Sequence, residues 1–368
     1  MSFKRIIALL LALAMMCLIS SCGGKNETPD DLSEPVMTEP EPIPEPPKII
    51  YRSGLTGLEV EDEAAQMRRP VAIMINNIKK ALPQYGISNA SIIFEALAEG
   101  GITRLLAVFE DPSDISQIGT VRSSRPYYLD FAQSVDAVYV HIGGSPDAYS
   151  QIKSRGMDSY DFIEGRYDSM YWRDKSRIQS SGYEHSVFTS GERIMNRIEN
   201  DGIRMERKSG YEKIFNFDPE AEYEGNDATS ITAVFSNYKT GTYKYDAANG
   251  FYRIGQYGTS HVDALANSQL AFKNVFILRM NSYVIKGDTA GRLKFDSVGS
   301  GSGMYFVNGT KTNINWSRDS KSSKFKLTTA DGAELAVVPG DSYVAIVPLE
   351  ATVTVEGDAP AVTETTVE

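Results

Sequence analysis

The sequence predicts an α/β N-terminal domain followed by a mainly antiparallel β C-terminal domain, an α+β chain overall. Three observations carry this. From Arg69 to about Gly210, short apolar runs alternate with segments that open on helix-start residues. From about Asn226 to Pro348, strand-like runs follow one another with Asn-Gly and Asp-Gly dipeptides between them. Between Gly210 and Asn226 lies a stretch of Tyr, Glu, Asp and Asn without periodicity, which marks a boundary. Strands alternating with helices favour a sheet covered by helices, whereas hairpin-rich runs favour antiparallel pairing.

In chain order, residues 1–22 read as an export signal. Lys4 and Arg5 form its positive start, and Ile6 to Ile19 is an apolar run of signal length, short for a spanning helix. Small residues then lead to a cysteine in Ile19-Ser20-Ser21-Cys22. This resembles the lipobox of bacterial lipoproteins, in which the cysteine is acylated and becomes the new N-terminus. The resemblance implies at least two acyl chains on Cys22, and two chains anchor stably where one is marginal. The expected location is the outer face of the bacterial cytoplasmic membrane.

Residues 23–50 form a tether. Glu39-Pro40-Glu41-Pro42-Ile43-Pro44-Glu45-Pro46-Pro47 imposes extended, self-repelling chain. At about 3 Å per residue it would stand a domain several nanometres off the bilayer. At the other end, residues 350–368 are a Thr/Glu/Ala tail expected to be disordered.

Between these ends, residues 51–215 and 225–349 are long enough for two cores. The net charge of −11 argues against a nucleic-acid partner, which needs clustered Lys and Arg. Both cysteines, Cys17 and Cys22, belong to the signal. The mature chain therefore has no disulfide, thiol nucleophile or cysteine metal ligand, which excludes a cysteine-dependent transpeptidase. No cofactor is expected. Gly299-Ser300-Gly301-Ser302-Gly303 lacks the Lys and the following helix of a phosphate loop and reads as a β-turn or bulge. His261 with Asp263 has no His/Glu pair at helical spacing to support it, so no metal site is assigned.

In residues 51–215, Pro70 to Ile75 is a continuous apolar run, as in a strand buried on both faces. Ser91 to Ala96 and Thr103 to Phe109 are strand candidates joined through Gly100-Gly101 as a hairpin. Asp136 to His141 is the clearest strand, and Glu184 to Phe188 a weaker one. Three helix starts follow strands: Ser124-Arg125-Pro126, Ser145-Pro146-Asp147 and the capping box Thr189-Ser190-Gly191-Glu192. If the strands are parallel, these N-termini gather at one sheet edge, where open α/β sheets bind ligands and helix starts favour anions.

The polar residues fall at the same places. Arg122 and Arg125 flank one helix start, His141 and Ser145 another, and His185 precedes the third. Glu99 and Arg104 surround the Gly100-Gly101 turn. Glu99, Arg104, Arg122, Arg125, His141, Ser145 and His185 are thus the candidate ligand-binding set. Each also has a structural reading: Arg104 pairing with Glu99, Ser145 as a helix cap, either His as a core residue.

Arg69-Pro70-Val71-Ala72-Ile73-Met74-Ile75, Glu99-Gly100-Gly101-Ile102-Thr103-Arg104, Val121-Arg122-Ser123-Ser124-Arg125-Pro126-Tyr127 and Val140-His141-Ile142-Gly143-Gly144-Ser145-Pro146 occur in register. In order and interval they resemble the YerB-like lipoproteins, from about Tyr51 to Pro348. That resemblance implies a cell-surface protein with a two-part domain of unknown function, and assigns no catalytic residue. Asn76 is a departure: the family pattern implies an acidic residue there.

In residues 225–349, Ile231 to Phe235, Thr242 to Tyr245, Phe251 to Ile254, Val275 to Leu278, Met304 to Val307, Glu334 to Val338 and Tyr343 to Val347 are strand-like. Asn249-Gly250, Asn308-Gly309 and Asp331-Gly332 tolerate the positive φ of tight hairpins. The functional expectation is a membrane-anchored binding or scaffolding protein with an anion-favouring cleft in its first domain. Its partner would be an anionic envelope component or another envelope protein. The alternative is a wall-directed hydrolase, using a Glu95/Glu99 carboxylate pair or His141 and His185.

Overall fold

In the computed structural model, residues 48–225 and 227–357 are described; Cys22, the tether up to Pro47 and the last residues from Asp358 lie outside them. The central element is a ten-stranded mixed sheet to which both sequence regions contribute. The first region supplies β1 (Val71–Asn76), β2 (Ile92–Leu97), β3 (Thr103–Phe109), β4 (Val138–His141) and β5 (Ser159–Asp161). Its helices include α1 (Pro126–Ser134), α2 (Pro146–Ser154) and α3 (Gly191–Asn200), the last preceded by β6 (Val187–Thr189). The second region opens with β7 (Ser230–Val234), β8 (Thr240–Asp246) and β9 (Phe251–Gln256). Then come β10 (Asn274–Arg279), the hairpin β11 (Ser282–Val284) and β12 (Leu293–Phe295), β13 (Gly299–Val307), β14 (Thr310–Arg318) and β15 (Lys326–Thr329). It ends with β16 (Ser342–Val347) and β17 (Val353–Glu356).

The large sheet runs β15-β14-β13-β10-β16-β2-β3-β1-β4-β5. The junction between the regions is the parallel pair β16 and β2, with Tyr343 opposite Ile93 and Ala345 opposite Glu95. Every residue of both strands is buried, as central strands require, and apart from Glu95, Ser342 and Tyr343 they are apolar. The α/β and β-rich regions therefore share one sheet, and no tether separates them.

Alternation across β2 sorts two layers. Phe94 points to the face where Phe131 of α1 stacks on it at 5.1 Å between ring centroids. Glu95 and, on β16, Tyr343 point to the other face, where Tyr243 of β8 meets Tyr343 edge-on. That second layer is a smaller antiparallel sheet in which β9, β8, β7 and β17 are neighbours in that order. Each large apolar side chain buried between layers stabilises the fold by about 1.5–3 kcal/mol over its exposed state.

Three expectations need correction. The Gly299–Gly303 run is no turn or bulge but the first half of β13, paired with β14 from Gly299 opposite Arg318. Its glycines make room for a ring: a Cβ on Gly301 would lie 2.6 Å from Trp316 Nε1. The tail from residue 350 does not start disordered. Val353 and Val355 alternate with polar residues and pair β17 with the edge of β7, a period-2 pattern hidden in a polar composition. Finally, Glu184 and His185 are not strand: Tyr183–His185 is a 3₁₀ turn, and β6 starts at Val187.

The turn dipeptides behave as expected where they close hairpins. Asn308 and Gly309 join β13 to β14 with φ of 50° and 77°, and Gly250 has φ 73°.

Candidate functional site

β1, β2, β4 and β16 are mutually aligned, so their C-terminal ends share one edge of the sheet, together with the start of antiparallel β3. α1 and α2 start there. Pro126 and Pro146 occupy the first helical turn of each, where a missing N–H costs nothing. Ser145 caps α2, accepting from the Ala148 N–H at 3.2 Å. Ser124 does not cap α1: its hydroxyl accepts from Tyr139 instead, and α1 has no side-chain cap. The third start is elsewhere. α3 follows β6, which belongs to a separate antiparallel sheet with Ile118–Gly119 and Tyr171–Arg173, so it does not join the other two. Its cap is Ser190 rather than Thr189.

Glu99, Arg104 and Arg125 form one cluster at this edge. Glu99 accepts from Arg104 Nη2 at 3.1 Å and from Arg125 Nε, so two guanidinium groups share one carboxylate. Arg104 also donates to the Ser123 carbonyl at 2.6 Å. Burial opposes the charge on Glu99, but the Arg125 hydrogen bond and the Arg104 charge prevail and hold its carboxyl below the ordinary value. Burial, and then the neighbouring Arg125, push Arg104 down to about 10, so it stays charged at neutral pH.

Arg125 faces open space. It lines a cleft of about 200 Å³ with Pro126, Ser145, Pro146 and the β11–β12 hairpin residues Asp288 and Arg292. The cleft continues into a groove of about 360 Å³ floored by Tyr127, Leu293 and Phe295, with Lys294 and Lys321 at its rim. Arg125 Nε and Nη1 are taken by Glu99 and the Ser124 carbonyl, while Nη2 makes no hydrogen bond among the described residues. Two further carboxylates line the cleft: Asp288 pairs with Arg292 at 2.9 Å, while Asp147 accepts from the Gln151 amide and pairs with no cation among the described residues.

The other candidates do not enter this cleft. Arg122 turns to the Glu184 carboxylate at 2.7 Å. His185 shares a 2.8 Å hydrogen bond with Asn76 and sits 3.5 Å from Glu184. His141 is buried behind the α2 start, with Nδ1 on the Gly143 carbonyl at 2.9 Å. Burial lowers the pKa of both histidines, against the opposing charges of Asp161 and Glu184. His141 and His185 share no partner, and no group of three or more metal-ligating side chains occurs among the described residues. Nor do Glu95 and Glu99 flank a common cleft. Glu95 is 1% exposed and points to the other layer. His261 and Asp263 are structural: His261 bonds to Gln84 at 2.9 Å, and Asp263 accepts from Gly86 N and Ser88 N.

The hairpin wall of the cleft escaped sequence reasoning. Ile285, Asp288 and Arg292 lie far along the chain from Arg125, and no local pattern links them. Lys239 and Gln256, in a turn and at a strand end, carry no local signal of their burial.

The description "Protein of unknown function (DUF3048) N-terminal domain" matches residues 55–204, and the corresponding C-terminal domain matches residues 231–344. The Bacillus subtilis (strain 168) protein named "Putative lipoprotein YerB" is 30% identical over 342 residues, 90% of this chain and 92% of its own. The crystal structure of YerB from Bacillus subtilis superposes with a TM-score of 0.70 over 82% of this chain and 99% of that one. Among the described residues no helix is long and apolar enough to cross a membrane. With both parts of the family matched in order and most of the chain covered, this protein belongs to the DUF3048 family.

Proposed function

We propose that this protein is a lipoprotein held by an acylated Cys22 on the outer face of the bacterial cytoplasmic membrane, and that it binds an anionic envelope component in the cleft at Arg125. The anchor reading rests on the lipobox and on the relative's name. The binding reading rests on one observation above the rest: Arg125 lines a cleft between two helix starts with its Nη2 making no hydrogen bond among the described residues, while its cluster holds two cations for one anion.

Three effects add at this position. An Arg fork grips a carboxylate or phosphate through charge-assisted hydrogen bonds. Each helix start contributes about 0.3–1 kcal/mol toward an anion near its end. Glu99 and Arg104 hold the Arg125 side chain in place, so little freedom is lost on binding.

The test is a titration of the protein with inorganic phosphate, short dicarboxylates and soluble anionic wall fragments. Saturable binding that Arg125→Ala weakens tenfold or more, with the fold intact, is the expected result. Binding unchanged in Arg125→Ala, or no binding by any of these anions, would overturn it.

A further inference from the structure

A second cluster lies on the other face of the large sheet, where β2 and β16 meet the smaller sheet. Lys239, in the turn between β7 and β8, is 1% exposed, as are Glu95 on β2 and Gln256 at the end of β9. Lys239 Nζ stands 2.9 Å from Glu95 Oε1 and donates to the carboxamide oxygen of Gln256. Glu95 is held from every side. Its Oε1 also accepts from Asn77 Nδ2 at 2.9 Å and Thr103 Oγ1 at 2.6 Å, and its Oε2 from the Tyr343 hydroxyl at 2.6 Å. The Nε2 of Gln256 is buried and has no hydrogen-bond partner among the described residues. The Tyr257 and Phe235 rings lie 5.1 and 5.8 Å from Nζ.

An amine, an amide carbonyl and a carboxylate are thus confined together away from bulk water. Such confinement converts a slow bimolecular reaction into an intramolecular one of high effective concentration. Burial lowers the pKa of Lys239, against the opposing charge of Glu95, and so eases formation of the neutral amine. The unpartnered Nε2 has no bond to give up on leaving. An exported chain whose two cysteines both lie in the signal also has no disulfide with which to brace itself.

We infer that Lys239 and Gln256 join in an intramolecular isopeptide bond by transamidation. Lys239 passes one proton to Glu95, and the Nζ lone pair attacks Gln256 Cδ as the carbonyl π electrons move to Oε1. The adduct collapses, the Cδ–Nε2 bond breaks, and Nε2 departs with the proton carried by Glu95 and a second one passed from Nζ. The products are a secondary amide and ammonium, with Glu95 again a carboxylate. No oxidant or co-reactant enters. The bond ties the β7–β8 turn to the end of β9, next to the native pairing of Gly241 with Gln256.

The test is a tryptic mass map of the full chain, purified in detergent from its membrane. Expected is one branched species joining residues 214–244 to residues 254–273, lighter than the two together by one ammonia, with no cleavage after Lys239. Separate peptides cleaved after Lys239 would overturn the inference. So would a species lighter by one water that joins Lys239 to the peptide carrying Glu95, because Glu95 would then be the electrophile. Glu95→Gln should abolish the branched species in a chain that still folds; its survival there would overturn the part given to Glu95. The map of the unsubstituted chain decides the bond even if that variant does not fold.

Discussion

Arg104 and Arg125 share a carboxylate but should not share a role, and replacing each with Ala separates them. The Arg104 side chain is 4% exposed and that of Arg125 is 12% exposed. Arg104→Ala leaves the Ser123 carbonyl without its 2.6 Å donor and takes from Glu99 its more deeply buried cation. Breaking one side of a buried pair costs about 3–5 kcal/mol in general. Two features keep this case near the lower end. Glu99 retains Arg125, and the substitution removes the buried Nε of Arg104, which has no partner among the described residues. We expect a loss of about 3 kcal/mol for Arg104→Ala. For Arg125→Ala, where Glu99 keeps Arg104 and water reaches the gap, we expect about 1 kcal/mol. Equilibrium urea unfolding, followed by the fluorescence of Trp172 and Trp316, reads both. Equal losses for the two variants, or a larger loss for Arg125→Ala, would refute the division into a structural and a ligand-facing arginine.

Further expectations concern other parts of the molecule. Burial, and then the nearby Glu110 charge, raise Asp341 to about 7. A carboxyl raised above its unfolded value contributes stability below that value and loses it as pH climbs from about 4 through 7. Asp341→Asn should therefore flatten this decline, seen as a melting temperature less dependent on pH; an unchanged slope would count against it. Gly301→Ala places a Cβ 2.6 Å from Trp316 Nε1 and 2.9 Å from the Arg279 carbonyl that Nε1 donates to. It should cost about 1–3 kcal/mol and alter the near-UV signal of Trp316, whereas a silent substitution would show that β13 can shift. Cys22→Ala should leave an unprocessed precursor or release the protein from the membrane fraction; normal processing with full retention would remove the anchor claim.

Much of the fold is legible in local chemistry, and the exceptions share a cause. Val71–Ile75 and Tyr343–Val347 announce central strands because continuous apolar runs fit a sheet covered on both faces. Ser145-Pro146 announces a helix start because cap and proline act within one turn. Gly299–Gly303 misleads because its small residues answer to Trp316 on the neighbouring strand rather than to a turn. That β16 pairs with β2 is long-range information, set by neither strand alone.

The candidate site divides the same way. Glu99, Arg104 and Arg125 are drawn together by a hairpin and a helix start that can be read locally. His141, Arg122 and His185 stand near the same edge in the sequence pattern. Packing behind α2 and the exposed Glu184 carboxylate take them elsewhere.

The central claim is that the unengaged nitrogen of Arg125 receives the anion. The most direct measurement is the ¹⁵N guanidinium spectrum of the protein, assigned by Arg→Lys substitution at Arg104, Arg122 and Arg125, during titration with phosphate or a wall-derived anion. The expected result is a saturable shift of the Arg125 resonance, a smaller one for Arg104 through Glu99, and none for Arg122. A saturable shift at Arg122 with Arg125 unmoved would contradict it, as would no saturable shift at any of the three.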